Sequence, residues 1–188
     1  IIKSEFPFED SRIIRIFTQL CDVLAAGHKL GIVHRDLKPD NIMVLDLPTE
    51  KDFVKLLDFG LAKFAEPGEG QTEITQAGWA LGTPKYMAPE QCSGDVHDLD
   101  SSADVYAMAV TAYEVLTGQL PYAVSGLGLA GAIKVITEDA PKPMESVDSR
   151  FRGEVATIIA KAMSKNREDR YRTGSELADD LRRYLAGD

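Results

Sequence analysis

Residues 34–41 read HRDLKPDN, and they carry the most specific signal in this chain of 188 residues. The segment follows a helical pattern and precedes a predicted hairpin, so a charged turn is the simplest interpretation of HRD alone. The complete string is too specific for that interpretation. Asp36, Lys38 and Asn41 place a carboxylate, an ammonium group and an amide within six residues, and Pro39 restricts the backbone between them.

These three side chains supply the groups that phosphoryl transfer requires. That reaction needs little covalent chemistry from a protein, but it needs an oriented hydroxyl, neutralised charge and oxygen ligands for Mg²⁺. The Asp36 carboxylate is a candidate to accept the hydroxyl proton, and Lys38 is a candidate to neutralise the transferring phosphate. Asn41 offers an amide oxygen, a hard donor that suits Mg²⁺.

A second motif, Asp58-Phe59-Gly60, begins seventeen residues after Asn41. Two short apolar runs, Ile42–Leu45 and Phe53–Leu57, lie between the motifs and predict a β-hairpin. A hairpin brings its two ends together, so we expect Asp58 beside the first motif. Asp58 is then the main metal ligand, and Gly60 lets the chain turn away.

The rest of the chain predicts helices. Apolar residues recur at helical spacing from Ser11 to Leu30, and Ala103–Thr117 is apolar nearly all round, as in a buried helix. Ser101 and Asp104 have the spacing of a capping box at its start. Further helices are predicted at Leu127–Thr137, Glu154–Ser164 and Ser175–Leu185. The expected fold is mainly α, a helical bundle with a small β-hairpin that carries the catalytic and metal-binding loops.

Composition narrows the classes of partner. The chain has 21 basic and 30 acidic residues, a net charge of -9, which argues against binding to nucleic acid. No apolar run approaches the roughly 18 residues of a membrane span, so no membrane segment is expected in this stretch. Cys21 and Cys92 form no metal-binding pattern, and we interpret them as reduced thiols of a cytoplasmic protein.

A third motif, GTPKYMAPE, occupies residues 82–90. HRDLKPDN, DFG and APE, in this order and spacing, resemble the signature set of protein kinases. The match covers essentially the whole chain. It implies that residues 1–188 form the C-terminal, larger lobe of a kinase domain, with an activation segment at 58–90.

The resemblance assigns roles to the polar residues of the first two motifs. Asp36 matches the catalytic base. Lys38 stands where serine/threonine kinases carry a lysine that contacts the transferring phosphate of ATP. Asn41 and Asp58 match the metal ligands beside the nucleotide, and Met43 matches the apolar residue beneath the adenine. The alternative interpretation is that Met43 is an ordinary apolar residue in the core of a strand.

Regulatory and substrate-binding roles fall in the activation segment. Thr83 matches the threonine of the segment that receives the substrate, which also favours a serine/threonine kinase. Arg35, before the catalytic aspartate, matches the arginine that pairs with a phosphate on this loop. Thr75 lies eight residues before Thr83, where bacterial kinases of the eukaryotic-like (Hanks) type often autophosphorylate. An ordinary solvated threonine is the alternative, and Thr72 is the nearest competitor.

Three further residues match structural positions of the family. Asp104 matches the aspartate that anchors the backbone of the catalytic loop. Glu90, of the APE motif, has an arginine as its usual partner, and Arg170 is in place for it. A surface ion pair, which contributes little to stability, is the alternative interpretation.

The C-terminal part resembles the bacterial eukaryotic-like group in the segments 162–171 and 178–185. It departs from that group at Arg167, where proline is usual, and at Ser102, where arginine is usual. The loop at 46–52 is also longer than usual. None of these departures touches the chemistry.

The kinase signature is incomplete at its start. No glycine-rich loop, no strand lysine and no helix glutamate precede the catalytic motif, so we expect the N-terminal lobe to lie outside this sequence. The implied cofactors are ATP and Mg²⁺, with Mn²⁺ as a possible substitute, and the implied partners are proteins with serine or threonine acceptors. A pseudokinase or kinase-derived binding module is the main alternative, and a small-molecule phosphotransferase fits less well.

Overall fold

The computed structural model describes residues 9–57, 84–92 and 99–187. Asp58, Thr75 and Thr83, three of the predicted site residues, lie outside these ranges. The described elements are α1 (Asp10–Lys29), β1 (Ile42–Leu45), β2 (Phe53–Leu56), α2 (Pro89–Cys92), α3 (Ser101–Thr117), α4 (Leu129–Glu138), α5 (Met144–Val147), α6 (Glu154–Ala162) and α7 (Gly174–Ala186), with 3₁₀ turns at Pro39–Asn41, Ser149–Phe151 and Arg167–Asp169.

The amphipathic helix predicted near the start of the chain is α1. Its apolar face packs against α3 and α7, and Leu20, Cys21 and Leu24 are completely buried. Gly31 follows the helix with a φ of 74°. Glycine adopts this left-handed conformation without the steric penalty of a Cβ atom, so the chain turns there and the helix ends.

The central helix is α3, and it is buried on nearly every side, as its apolar composition predicts. The capping-box prediction at Ser101 and Asp104 is wrong. The helix is capped one residue earlier by Asp100, whose carboxylate accepts a hydrogen bond from the Ser102 amide at 2.8 Å. The spacing suggested that the Asp104 carboxylate caps the helix, but this carboxylate instead accepts hydrogen bonds from the backbone of His34 and Arg35.

The predicted hairpin forms, with β1 at the predicted residues and β2 ending at Leu56, one residue earlier than predicted. β1 and β2 are antiparallel, with Ile42 opposite Leu56 and Leu45 opposite Phe53. Its long turn returns to α1 at Asp52, which the Arg12 guanidinium contacts through Nε and Nη2 at distances of 2.7–3.0 Å. The Arg12 contact also holds the pKa of the Asp52 carboxyl below its ordinary value. The turn is therefore fastened to the helical body.

The C-terminal helix α7 comes very close to α1. A Cβ atom on Gly174 would lie 2.7 Å from the Cys21 carbonyl oxygen, so the first turn of α7 needs glycine at this position. Thr173 caps the helix by accepting from the Glu176 amide, and the Glu176 carboxylate accepts from the Arg172 amide. Thr173 and Glu176 therefore form a capping box whose second bond goes to Arg172, one residue before the usual position.

Two sequence predictions concern the environment of the chain. None of the helices in the described ranges combines the length and apolar character of a membrane span. Cys21 and Cys92 are both buried and free. Burial raises the pKa of the Cys92 thiol to about 11, with a smaller contribution from Glu90, so this thiol stays protonated near neutral pH.

Candidate active site

The segment 34–41 connects α1 to β1, and three of its polar side chains meet. Lys38 Nζ lies 2.9 Å from Asp36 Oδ2. Asn41, in the 3₁₀ turn that precedes β1, donates from Nδ2 to the Asp36 carbonyl at 2.8 Å. The Asp36 side chain is 53% exposed, so its carboxylate is open to a substrate while the buried Asn41 fixes its backbone.

The Asn41 amide also suits a cation. Because Nδ2 is engaged by Asp36, the oxygen Oδ1 is the end left for a ligand, and it has no hydrogen-bond donor among residues 9–57, 84–92 and 99–187. The same described residues hold no group of three acidic, histidine or cysteine side chains that suits a metal ion. Of the two metal ligands predicted from the sequence, Asn41 lies inside the described ranges and Asp58 lies outside them.

The end of β2 lies directly beside this loop. The Leu57 amide donates to the Asn41 carbonyl at 2.8 Å, and the Leu57 carbonyl contacts His34 Nε2 at 3.0 Å. Asp58 itself lies outside the described residues. Its neighbour Leu57 is held against the segment 34–41 through both its amide and its carbonyl. Met43 lies in β1, half-buried and opposite Lys55.

Asp104 joins this loop to the core. Its buried carboxylate accepts from the backbone amides of His34 and Arg35, each at 2.8 Å. The side chain is 1% exposed, and it projects from the first turn of α3. The rigid central helix thus fixes the backbone immediately before Asp36.

The sequence did not single out His28, which belongs to the same arrangement. Its Nε2 lies 2.8 Å from Asp104 Oδ2, and its side chain is nearly buried. The sequence places it in the last turn of α1, where a basic residue commonly interacts with the helix dipole. Its contact lies 76 positions away along the chain, so no local pattern indicates it.

Arg35 has an unusual backbone. Its φ is 65°, in the left-handed region that residues with a Cβ atom rarely occupy. Non-glycine residues hold such conformations only where their surroundings enforce them, and these positions concentrate at functional sites. No side chain in the described ranges pairs with the Arg35 guanidinium.

The end of the predicted activation segment packs onto the helices below. The Tyr86 hydroxyl donates to Glu114 of α3 at 2.6 Å, and burial, reinforced by this carboxylate, raises the pKa of Tyr86. In α2, Glu90 binds Arg170 through two contacts of 2.7 and 2.8 Å. The structure thus brings together the two residues that the sequence suggested as a pair.

Comparison with known proteins agrees with this geometry. Residues 1–180 match the family described as Protein kinase domain. The serine/threonine-protein kinase pkn3 of Myxococcus xanthus is 41% identical over 90% of this chain and 31% of its own length. PknB of Mycobacterium tuberculosis is 34% identical over the whole chain and 28% of its own length. The chain therefore spans less than a third of these curated relatives.

Solved structures show the same fold. Rad53 residues 1–466, in complex with AMP-PNP, superposes with a TM-score of 0.69 and 26% identity, covering 92% of this chain and 40% of that one. The PknI kinase domain of Mycobacterium tuberculosis superposes with a TM-score of 0.70 and 22% identity, covering 98% and 60%. The mainly α prediction with a kinase-like hairpin is confirmed. Matched over residues 1–180, the chain belongs to the protein kinase domain family.

Proposed function

We propose that the chain is the C-terminal lobe of a serine/threonine protein kinase, which transfers the γ-phosphate of ATP to hydroxyls of proteins. The observation that carries the proposal is the 2.9 Å contact between Lys38 Nζ and Asp36 Oδ2, next to an Asn41 side chain that holds the Asp36 backbone. Support comes from the curated relatives, which are named serine/threonine-protein kinases.

Each residue has a defined task in this reaction. The exposed Asp36 carboxylate orients the substrate hydroxyl and accepts its proton as the hydroxyl oxygen bonds to the γ-phosphorus, while the bond from that phosphorus to the bridging oxygen breaks and ADP leaves. The Lys38 ammonium group, already beside that carboxylate, offsets negative charge on the transferring phosphate. Asn41 and Asp58 would hold Mg²⁺, with Mn²⁺ as a substitute, and the cation would neutralise phosphate charge when bound. Met43, in β1, would pack beneath the adenine.

The nucleotide site needs a second half. We propose that an N-terminal lobe of the same protein supplies the glycine-rich loop and the strand lysine. Thr83 would line the site that receives the substrate protein. A phosphate on Thr75 would pair with the Arg35 guanidinium. A cytoplasmic location, where ATP is plentiful and thiols stay reduced, suits the two free cysteines.

The test is phosphate transfer from labelled ATP to a generic basic protein by the kinase that includes this chain and its N-terminal lobe. We expect transfer by the wild type and almost none by Asp36→Asn, because the base is lost while the shape is kept. Asp179→Asn, on the exposed surface of α7, is the matched control. Absence of transfer by the wild type would instead favour a pseudokinase or a binding module.

A further inference from the structure

The backbone of Arg35 is held at both of its peptide groups. On one side, its amide donates to Asp104 Oδ1 at 2.8 Å. On the other side, its carbonyl accepts from Gln91 Nε2 at 3.0 Å. The two partners belong to different elements, α3 and α2, so the left-handed conformation of Arg35 depends on both helices being in place.

Gln91 is well suited to this contact. Its Oε1 accepts from the Ala88 amide at 2.9 Å while its Nε2 donates to Arg35. Both ends of the side-chain amide are therefore engaged, which fixes its orientation. The bond to Ala88 attaches Gln91 to the end of the activation segment, and the bond to Arg35 attaches it to the catalytic segment.

The neighbouring residue fastens α2 to the core. Glu90 binds the buried Arg170, which also donates to the backbone carbonyls of Ser164 and Lys165 at 2.5 and 2.9 Å. Two successive side chains of one short helix thus have separate tasks. Glu90 sets the position of α2, and Gln91 transmits that position to the peptide group before Asp36.

We propose that Gln91 is a positioning residue, which fixes the peptide group between Arg35 and Asp36 once the end of the activation segment is docked. The proposal rests on the proposed kinase function. The Arg35 carbonyl lies in the same rigid peptide plane as the Asp36 amide. Rotation of this plane moves the Asp36 carboxylate relative to Lys38, and small misplacements of reacting groups are costly for the rate.

The first measurement concerns the loop itself. Gln91→Glu keeps the acceptor for Ala88 but replaces the donor to Arg35 with a carboxylate oxygen, which repels the carbonyl. We expect amide hydrogen exchange at residues 35 and 36 to become about tenfold faster, as loss of one hydrogen bond permits, with little change in melting temperature. Gln119→Glu, on the exposed surface after α3, is the matched control and should exchange like the wild type.

The second measurement concerns catalysis. In the kinase that includes this chain, Gln91→Glu should lower kcat about tenfold and leave KM for ATP unchanged. Gln91→Met, which removes both bonds without adding charge, should have the same effect if Gln91→Glu fails to fold.

The outcomes separate the two proposals. Wild-type exchange at residues 35 and 36 in a folded variant would overturn the positioning role, and so would faster exchange with unchanged kcat. Unfolding of both variants would also overturn it, since Gln91 would then serve stability alone. A wild type without transfer activity would defeat the kinase function, while the exchange rates would still decide whether Gln91 holds the loop.

Discussion

Arg170 donates to both carboxylate oxygens of Glu90, at 2.7 and 2.8 Å, with its side chain completely buried and that of Glu90 12% exposed. A second pair, Arg182 with Asp22, has the same chemistry but side chains that are 47% and 53% exposed. The chain thus offers a buried and an exposed version of one interaction. Removing one partner leaves an uncompensated charge in the first case and a solvated one in the second.

We therefore expect Glu90→Gln to lower the free energy of unfolding by about 3 kcal/mol. Asp22→Asn should lower it by less than about 1 kcal/mol, because solvent replaces the lost contact. Urea denaturation of both variants measures the difference. Equal losses would show that the Glu90–Arg170 contact contributes no more than a surface pair.

Asp36 and Asp58 are expected to fail differently when each is changed to asparagine. The proposed role of Asp36 is on the substrate hydroxyl, so Asp36→Asn should abolish transfer in the kinase while Mg-ATP still binds. Asp58 is the predicted metal ligand, so Asp58→Asn should also weaken Mg²⁺-dependent nucleotide binding. Calorimetric titration with Mg-ATP distinguishes them. An equal loss of affinity in both variants would mean that the two roles are wrongly assigned.

Thr75 is expected to be the main site of autophosphorylation. The Arg35 guanidinium has no ion-pair partner within the described ranges, and arginine binds phosphate through paired, charge-assisted hydrogen bonds. A phosphate adds about -1.5 to -2 charge and can order a loop. Thr75→Ala should therefore lower activity several-fold, whereas Thr72→Ala should not. Phosphopeptide mass spectrometry with and without an intact Asp36 provides the test, and an unmodified Thr75 in active enzyme would contradict it.

Lys165 should make stability depend on pH. Its Nζ donates to the Tyr122 hydroxyl at 2.9 Å and to the Ile136 carbonyl. Burial lowers its pKa from 10.5 to about 8, although Asp139 opposes the change. Between these two values the unfolded chain binds more protons than the folded one, so the free energy of unfolding contributed by Lys165 rises with pH.

The measurement compares wild type with Lys165→Met by denaturation from pH 7 to pH 11. Both proteins share every other titrating group, including Cys92, so the difference between their curves reports on Lys165. We expect the wild type to gain stability relative to the variant as the pH rises from about 8, and the gain to level off near the ordinary lysine value. Parallel curves would show that burial does not perturb this ammonium group.

The isolated chain of 188 residues should transfer almost no phosphate to protein. Asp36, Lys38 and Asn41 are assembled, but the proposed N-terminal half of the nucleotide site is not part of this sequence. Loss of alignment alone costs roughly 10²-fold in rate. Radiolabelled ATP with Mg²⁺ and a basic protein should give background incorporation. Clear incorporation that disappears in Asp36→Asn would contradict this expectation.

The elements of the fold follow closely from apolar periodicity. The predicted long helix at Ser11–Leu30 is α1 at Asp10–Lys29, and the predicted strand Ile42–Leu45 is β1 without change. These segments were predictable because their apolar spacing reflects a single buried helix face or a pair of adjacent strands. Helix starts were less predictable. The cap of α3 is Asp100 rather than Ser101, since a carboxylate that satisfies a distant amide looks the same in sequence as one that caps a helix.

The site was predictable where its chemistry is local. Asp36, Lys38 and Asn41 lie within one short segment, so their proximity in the structure was predictable from the sequence. Gln91 and His28 were not predicted as site residues, because their contacts are with Arg35 and Asp104, which lie 56 and 76 positions away along the chain. Neither residue type is unusual in a helix, so only the tertiary structure reveals these contacts.

The fastening of Asp52 to Arg12 also has a consequence for engineering. Between β1 and that anchor, Leu47 and Glu50 exchange two backbone hydrogen bonds, and residues 46–51 are exposed. The two strands pair with each other, and the ion pair with Arg12 holds Asp52 beside the start of β2. Extra residues at such a tip cost little, about 0.6 kcal/mol for each doubling of loop length. The tip is therefore a natural place to insert an epitope or a fluorescent reporter without displacing Asn41.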